Sequence, residues 1–238
     1  MPCACMPPED SLGLVMRLWA LALMVFAVFA LWPGIDLIVS GLFHVPGQGF
    51  PVADMIWVDR VRRAIWGASI LLVVTALPAL VLAAVQRGRV LALDARDWGF
   101  ILALYALGPG LLVETVLKGH WGRARPGDVL PFGGTRAFTA PHEITDQCLR
   151  NCSFTAGEMA GAVALAISLA LVASRWRGRM SPRAGRIVRL AILAIPLLAG
   201  LQRIAAGRHF LSDVVLSALA VGLVAAALAG GLRLRPPS

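Results

Sequence analysis

The stretch Phe210-Leu211-Ser212-Asp213-Val214-Val215-Leu216-Ser217-Ala218-Leu219-Ala220-Val221-Gly222-Leu223-Val224-Ala225-Ala226-Ala227-Leu228-Ala229-Gly230-Gly231-Leu232 carries one charge, Asp213, near its start. A helix rises about 1.5 Å per residue, so a run of about 20 apolar residues crosses a hydrocarbon core of roughly 30 Å. There a single segment satisfies its backbone only by coiling into a helix. Five more stretches share this character: Leu12–Leu31, Ala64–Val85, Trp98–Leu117, Phe154–Val172 and Leu190–Ala206. The last holds Pro196 at its middle, where a kink is expected. The reading is all-α: a six-transmembrane-helix bundle, one integral-membrane domain over residues 1–238. No internal repeat, low-complexity tract or second domain interrupts it.

Composition agrees. Of the 238 residues, 58% are hydrophobic and 15% charged, and the mean hydropathy is +0.77. Soluble domains carry roughly 25% charged residues, so an ordinary soluble globule, a disordered chain and a disulfide-rich secreted module are all excluded. The net charge of +9 is read as cytoplasmic-loop arginine and phosphate ligands, not as a nucleic-acid surface. All of the 22 basic residues are Arg except Lys118.

Orientation follows from the loops. Between the fourth and fifth spans, Ser174–Arg186 contains Arg175, Arg177, Arg179, Arg183 and Arg186, with Arg189 close behind and no acid. Such loops stay cytoplasmic. Arg87, Arg89 and Arg96, Arg233 and Arg235, and Arg17 fall on the same side. Both termini are therefore expected in the cytoplasm. The head Met1–Ser11 has Glu9 and Asp10 but no basic residue, unlike a signal-peptide n-region, so the first span is expected to be retained. On the opposite face, residues 52–63 space their apolar side chains helically. They read as an interfacial helix or as an early start to the second span. Cys148 and Cys152 share a polar loop there, as a disulfide or as two free thiols. Cys3 and Cys5 have nothing near them in sequence to complete a metal set.

Three segments on that face carry chemistry. Lys118-Gly119-His120-Trp121-Gly122-Arg123-Ala124-Arg125-Pro126 sets basic groups directly after an apolar span. Arginine offers a planar fork for phosphate oxygens and lysine a compact charge; both residue types also snorkel at helix ends. Cys152-Ser153-Phe154-Thr155-Ala156-Gly157-Glu158 opens the fourth span, where free N–H groups favour an anion and Gly157 permits close approach. Glu158 is ionisable just inside a span, a costly place for a charge. Gln202–Asp213 places His209 and Asp213 four apart, on one helical face, with Arg203 upstream. A carboxylate can fix the imidazole tautomer and leave the other nitrogen to attack. An even number of spans separates the second segment from the third, so all three meet on one side.

The pattern Lys118-x6-Arg125-Pro126, then the segment ending Thr155-Ala156-Gly157-Glu158, then Arg203-x5-His209-x3-Asp213 resembles the type 2 phosphatidic acid phosphatase (PAP2) superfamily. The stretch Trp121–Pro126 is especially similar to bacterial members, lipid A phosphatases among them. The resemblance implies a membrane lipid phosphatase in which Lys118, Arg125, Arg203 and the backbone at Gly157 bind phosphate. It also implies that His209 forms a phosphohistidine and that Asp213 orients it. The family's Pro-Ser-Gly-His is here Thr155-Ala156-Gly157-Glu158, so Glu158 is expected to protonate the leaving group, with His120 or His142 in reserve. No metal or other cofactor is called for, because the basic residues supply the charge. Expected partners are a lipid phosphate substrate and membrane lipid. Lipid A, undecaprenyl diphosphate, phosphatidylglycerophosphate and phosphatidic acid are the candidates, with lipid A preferred. The expected location is a bacterial inner membrane with the site facing the periplasm. The competing functions are a lipid phosphotransferase on the same scaffold and a non-catalytic transporter or lipid-binding relative. Oligomeric state is not legible.

Overall fold

The computed structural model describes residues 8–149 and 151–232. Among them are six helices long and apolar enough to cross a membrane. They are α1 (Pro8–Leu31), α3 (Ile56–Val85), a composite third span, α6 (Gly157–Trp176), α7 (Pro182–Ala205) and α8 (Leu211–Gly231). A short helix, α2 (Gly34–Gly41), follows α1. Cys3, Cys5, Arg233 and Arg235 lie outside the described residues.

The third span begins as α4 (Ala95–Tyr105), widens into a π-helix over Ala106–Leu117 and closes with the turn α5 (Lys118–Trp121). Asp94 caps its start, accepting from the Arg96 and Asp97 N–H groups at 2.9 and 3.0 Å. Pro109 sits inside the widened stretch and brings no N–H to the α-helical ladder. π-helical turns recur at functional sites, and this one carries Glu114 and leads into Lys118.

The bundle closes around α6, which packs against α3, α4, α7 and α8, while α1 lies along α8. Ala160, Ala162, Ala164 and Ala166 are buried on α6. Small residues let helix backbones approach in lipid, where van der Waals packing replaces the hydrophobic drive. Leu93, Trp98, Ile101, Leu104, Val113 and Val221 fill the space beside them. Large apolar side chains such as Leu71, Val74, Leu77, Leu197 and Leu201 face outward, as a lipid-bathed surface requires.

One alternative is decided and one boundary moves. Residues 52–63 give the early start to the second span, not a separate interfacial helix. Pro51–Asp54 is one 3-10 turn, Met55 is extended, and Ile56 opens α3. Asp59 pairs with Arg62 and Arg63 three and four residues on, which carries the helix through its charged first turns. The fifth span starts at Pro182, not Leu190, because Ser181 accepts the Ala184 N–H at 3.2 Å and Pro182 fits the first helical position. The helix continues through Pro196.

At one end of the bundle Asp97 of α4 pairs with Arg175 of α6, at 2.7 Å. The start of α3, the end of the third span, the start of α6, the end of α7 and the start of α8 all meet at the other end. The sequence segments singled out for chemistry are therefore gathered opposite the arginine-rich α6–α7 loop.

Candidate active site

The loop between the third span and α6 is tied to itself before it shapes the site. Thr145 N–H donates to the Trp121 carbonyl, Cys148 N–H to Gly122 and Ser153 N–H to Arg123, each within 3.0 Å. Gly122 has φ +61°, and a Cβ there would meet the Thr145 carbonyl oxygen, so only glycine fits this turn. Trp121 stacks on Phe154 with ring centroids 4.7 Å apart. Cys148 and Cys152 form a disulfide, their Cα atoms 5.5 Å apart, which decides between the two readings of that pair. The first and third segments also join: Gly127 N–H donates to the Gly207 carbonyl at 3.0 Å. Gly207 has φ +62° and lies flat under the Phe50 ring. That turn delivers His209.

His209 is buried, and its Nδ1 lies 2.7 Å from the Ser153 carbonyl oxygen. A carbonyl only accepts, so Nδ1 carries the hydrogen and Nε2 keeps its lone pair. Burial pushes the imidazole down from its ordinary value to about 3, with the Arg125, Lys118 and Arg203 charges acting the same way and the Ser153 hydrogen bond opposing. The ring is neutral at physiological pH and able to act as a nucleophile.

Asp213 does not take the direct bond to His209 expected from the sequence. Its carboxylate accepts from the Ser153 hydroxyl at 2.5 Å, the Phe210 N–H at 2.9 Å and the Arg123 Nη1 at 2.6 Å. It therefore acts on His209 through Ser153, whose carbonyl holds the ring. Arg123 is fully buried and joins three elements. Its Nη2 donates to Asp36 on α2 at 2.9 Å, its Nη1 to Ser212 on α8 at 2.9 Å, and its Nε to the Thr139 carbonyl at 2.9 Å. Phe210 covers its flat face, 4.3 Å from ring centroid to guanidinium carbon.

Beside His209 lies a polar cavity of about 330 Å3. Lys118, Arg125, Arg203 and Glu158 line it, so four of the residues singled out in the sequence converge with His209. Arg62 and Arg208 add two cations that sequence reasoning did not assign. Arg125 is steadied by the Asn151 carbonyl, 2.9 Å from Nε. Arg203 Nε donates to the Gln202 side chain at 2.8 Å.

Glu158 pairs with Arg203 at 2.7 Å and with Arg62 at 3.1 Å. A guanidinium group thus stands beside each carboxylate oxygen. In that position Glu158 braces the two cations. His120 and His142 are not among the cavity's lining residues. Gly157 does leave its face open, but Glu114 fills it: a Cβ on Gly157 would run into Glu114 Oε1. That oxygen also pairs with Lys118 Nζ at 3.1 Å. A carboxylate thus sits at the start of α6, where a helix favours an anion. Glu114 was legible as an acid within an apolar span, a functional signal in its own right.

A neutral nucleophilic imidazole facing a ring of cations, at the end of a membrane-spanning bundle, is equipped for phosphoryl transfer at a membrane surface. The model of the PAP2 superfamily matches residues 98–233, more than half of the chain. The chain belongs to the PAP2 superfamily and is a membrane phosphatase of that type. It is similar to a lipid A 4'-phosphatase of Rhizobium leguminosarum, 34% identical over 223 residues, covering 88% of this chain and 91% of that one. A lipid A 4'-phosphatase of Rhizobium etli is 32% identical over 238 residues, 93% of this chain and 88% of that one. One from Francisella tularensis subsp. novicida is 37% identical over 116 residues, 49% of each. The fold resembles the crystal structure of a transmembrane PAP2 type phosphatidylglycerolphosphate phosphatase from Bacillus subtilis, with TM-score 0.52 and 18% identity, covering 92% of this chain and 94% of that one.

Proposed function

We propose that this protein, as a single membrane domain, removes a phosphate monoester from lipid A through a phosphohistidine on His209. The observation that carries the reading is the charge of the cavity beside that ring. Arg62, Lys118, Arg125, Arg203 and Arg208 face Asp59, Glu114 and Glu158 there, a net positive charge of two that suits a phosphomonoester anion. Phosphate oxygens gripped by Lys118, Arg125 and Arg203 present phosphorus to Nε2. The same cations stabilise the charge spread over the oxygens during in-line transfer. The Ser153 carbonyl, held by Asp213, steadies the positive ring as the N–P bond forms. Water then cleaves that bond.

The lipid part follows from a second cavity. An apolar groove of about 770 Å3 runs between α3 and the third span, lined by Trp66, Ile70, Val74, Leu102 and Pro109. Glu114 and Glu158 border both spaces. A molecule with an anionic head and an apolar body fits that continuity. The names of the relatives supply the choice of lipid A. A disulfide in the site loop supports an oxidising compartment, and the arginine-rich α6–α7 loop supports a cytoplasmic opposite face. Together they favour a bacterial inner membrane, with cytoplasmic termini and the site open to the periplasm.

The test is phosphate release by purified protein across lipid A, undecaprenyl diphosphate, phosphatidylglycerophosphate and phosphatidic acid. Lipid A is expected to give the highest kcat/KM, and His209→Ala to lower it by at least about a thousandfold. Preference for another lipid overturns the substrate; undiminished release by His209→Ala overturns the nucleophile.

A further inference from the structure

We propose that Glu114 is the catalytic acid and base of this enzyme, taking the place left by the missing histidine of the second motif. The proposal rests on the phosphatase reading above and adds the residue that handles the leaving group. Three observations carry it, and the first is position. With phosphate in the polar cavity and the lipid body in the apolar groove, the ester oxygen joining them lies at the border of the two spaces. Glu114 and Glu158 are the carboxylates on that border. The second is availability. Glu158 is held by Arg62 and Arg203, and Asp59, inside the polar cavity, by Arg62 and Arg63. Glu114 engages Lys118 through Oε1, and its side chain is 49% exposed. The third is contact with the anion seat. Glu114 Oε1 lies against Gly157 at the start of α6, so an arriving phosphate meets this carboxylate directly.

The proton balance closes without an added reagent. A phosphomonoester monoanion brings one proton, which it shares with the carboxylate it is pressed against. His209 Nε2 forms a bond to phosphorus as the P–O ester bond breaks. The electron pair of that bond goes to the lipid oxygen, which takes the proton from Glu114. In the second step the oxygen of water bonds to phosphorus and its proton passes to the Glu114 carboxylate, which gives it up to the departing phosphate. The electrons of the N–P bond return to Nε2. The Lys118 ammonium stays beside Glu114 and steadies its carboxylate once the lipid alcohol has left.

The test compares two leaving groups in wild type, Glu114→Gln, Gly157→Ala and Glu158→Gln. A lipid alcohol needs a proton on departure; 4-nitrophenol does not. General acid catalysis contributes about 100- to 10,000-fold. Glu114→Gln is therefore expected to lower kcat on lipid A by at least about a hundredfold with KM changed less than about threefold. It should leave phosphohistidine formation from 4-nitrophenyl phosphate within about threefold of wild type. Gly157→Ala keeps the carboxylate but forces it from its seat, and should show the same selective loss. Glu158→Gln should instead raise KM on both substrates, as a brace for Arg203 would. Equal losses of Glu114→Gln on the two substrates, or none on lipid A, overturn the assignment. Loss of phosphohistidine formation from both substrates in Glu114→Gln, with orthovanadate binding kept, also overturns it. Wild type that releases no phosphate from any lipid overturns the phosphatase reading instead.

Discussion

At the scale of single residues, chemistry here depends on keeping one imidazole dry and uncharged. Burial and three cations hold His209 neutral down to about pH 3, against an ordinary value of 6.5. The unfolded chain takes up a proton on this ring near 6.5, and the folded chain does not. Lowering the pH through that value therefore favours unfolding, by about 1.4 kcal/mol for each pH unit. Wild type is expected to lose about 2 kcal/mol more than His209→Gln between pH 6.5 and 5. Unfolding measured in micelles across that range checks it, and parallel curves for the two proteins would contradict it. The pattern Lys118-x6-Arg125, Arg203 and His209 was readable because cations and a histidine at fixed spacing beside apolar spans have few structural uses. The role of Ser153 was not readable. It arises from a backbone carbonyl delivered by a loop whose path no spacing rule gives. The pairing of Glu158 with Arg62 was not readable either, because Arg62 lies 96 residues earlier in the chain.

At the scale of elements, Arg123 joins α2, the loop after the third span and α8. It sits between Asp36 and Asp213 with all three side chains fully buried. Removing one member of such a group leaves a buried charge without its partner, at a cost of about 3–5 kcal/mol. Arg123→Gln is expected to lose stability on that scale and to lower activity by releasing Asp213 from Ser153. A variant with wild-type unfolding would show that the network is not needed to hold α2 and α8 together. In the sequence Arg123 stood inside the phosphate-binding stretch, two residues before Arg125, and nothing local separates the buried arginine from the one that lines the cavity. The six spans were legible from hydropathy alone. Their ends were not, because charged first turns such as Asp59–Arg63 extend a helix beyond the apolar window by pairing along it.

For the whole molecule, topology was the best-read feature. Counting spans placed the three chemical segments on one face, and the structure gathers them at one end of the bundle. Sidedness is open to a direct check. In a chain with Cys3 and Cys5 replaced by serine, Ile144→Cys lies on the site loop and is 69% exposed. It should react with a membrane-impermeant maleimide added to spheroplasts, while Arg183→Cys in the first turn of α7 should react only after permeabilisation. The opposite pattern would invert the molecule in the membrane.

The central claim is covalent: phosphate passes from lipid to His209 and then to water. Mixing enzyme with lipid A, quenching in alkali within milliseconds and mapping the digest by mass spectrometry tests it most directly. The account predicts a phosphorylated His209 that appears before free phosphate and is absent from His209→Ala. Rapid phosphate release with no modification at His209 would contradict it.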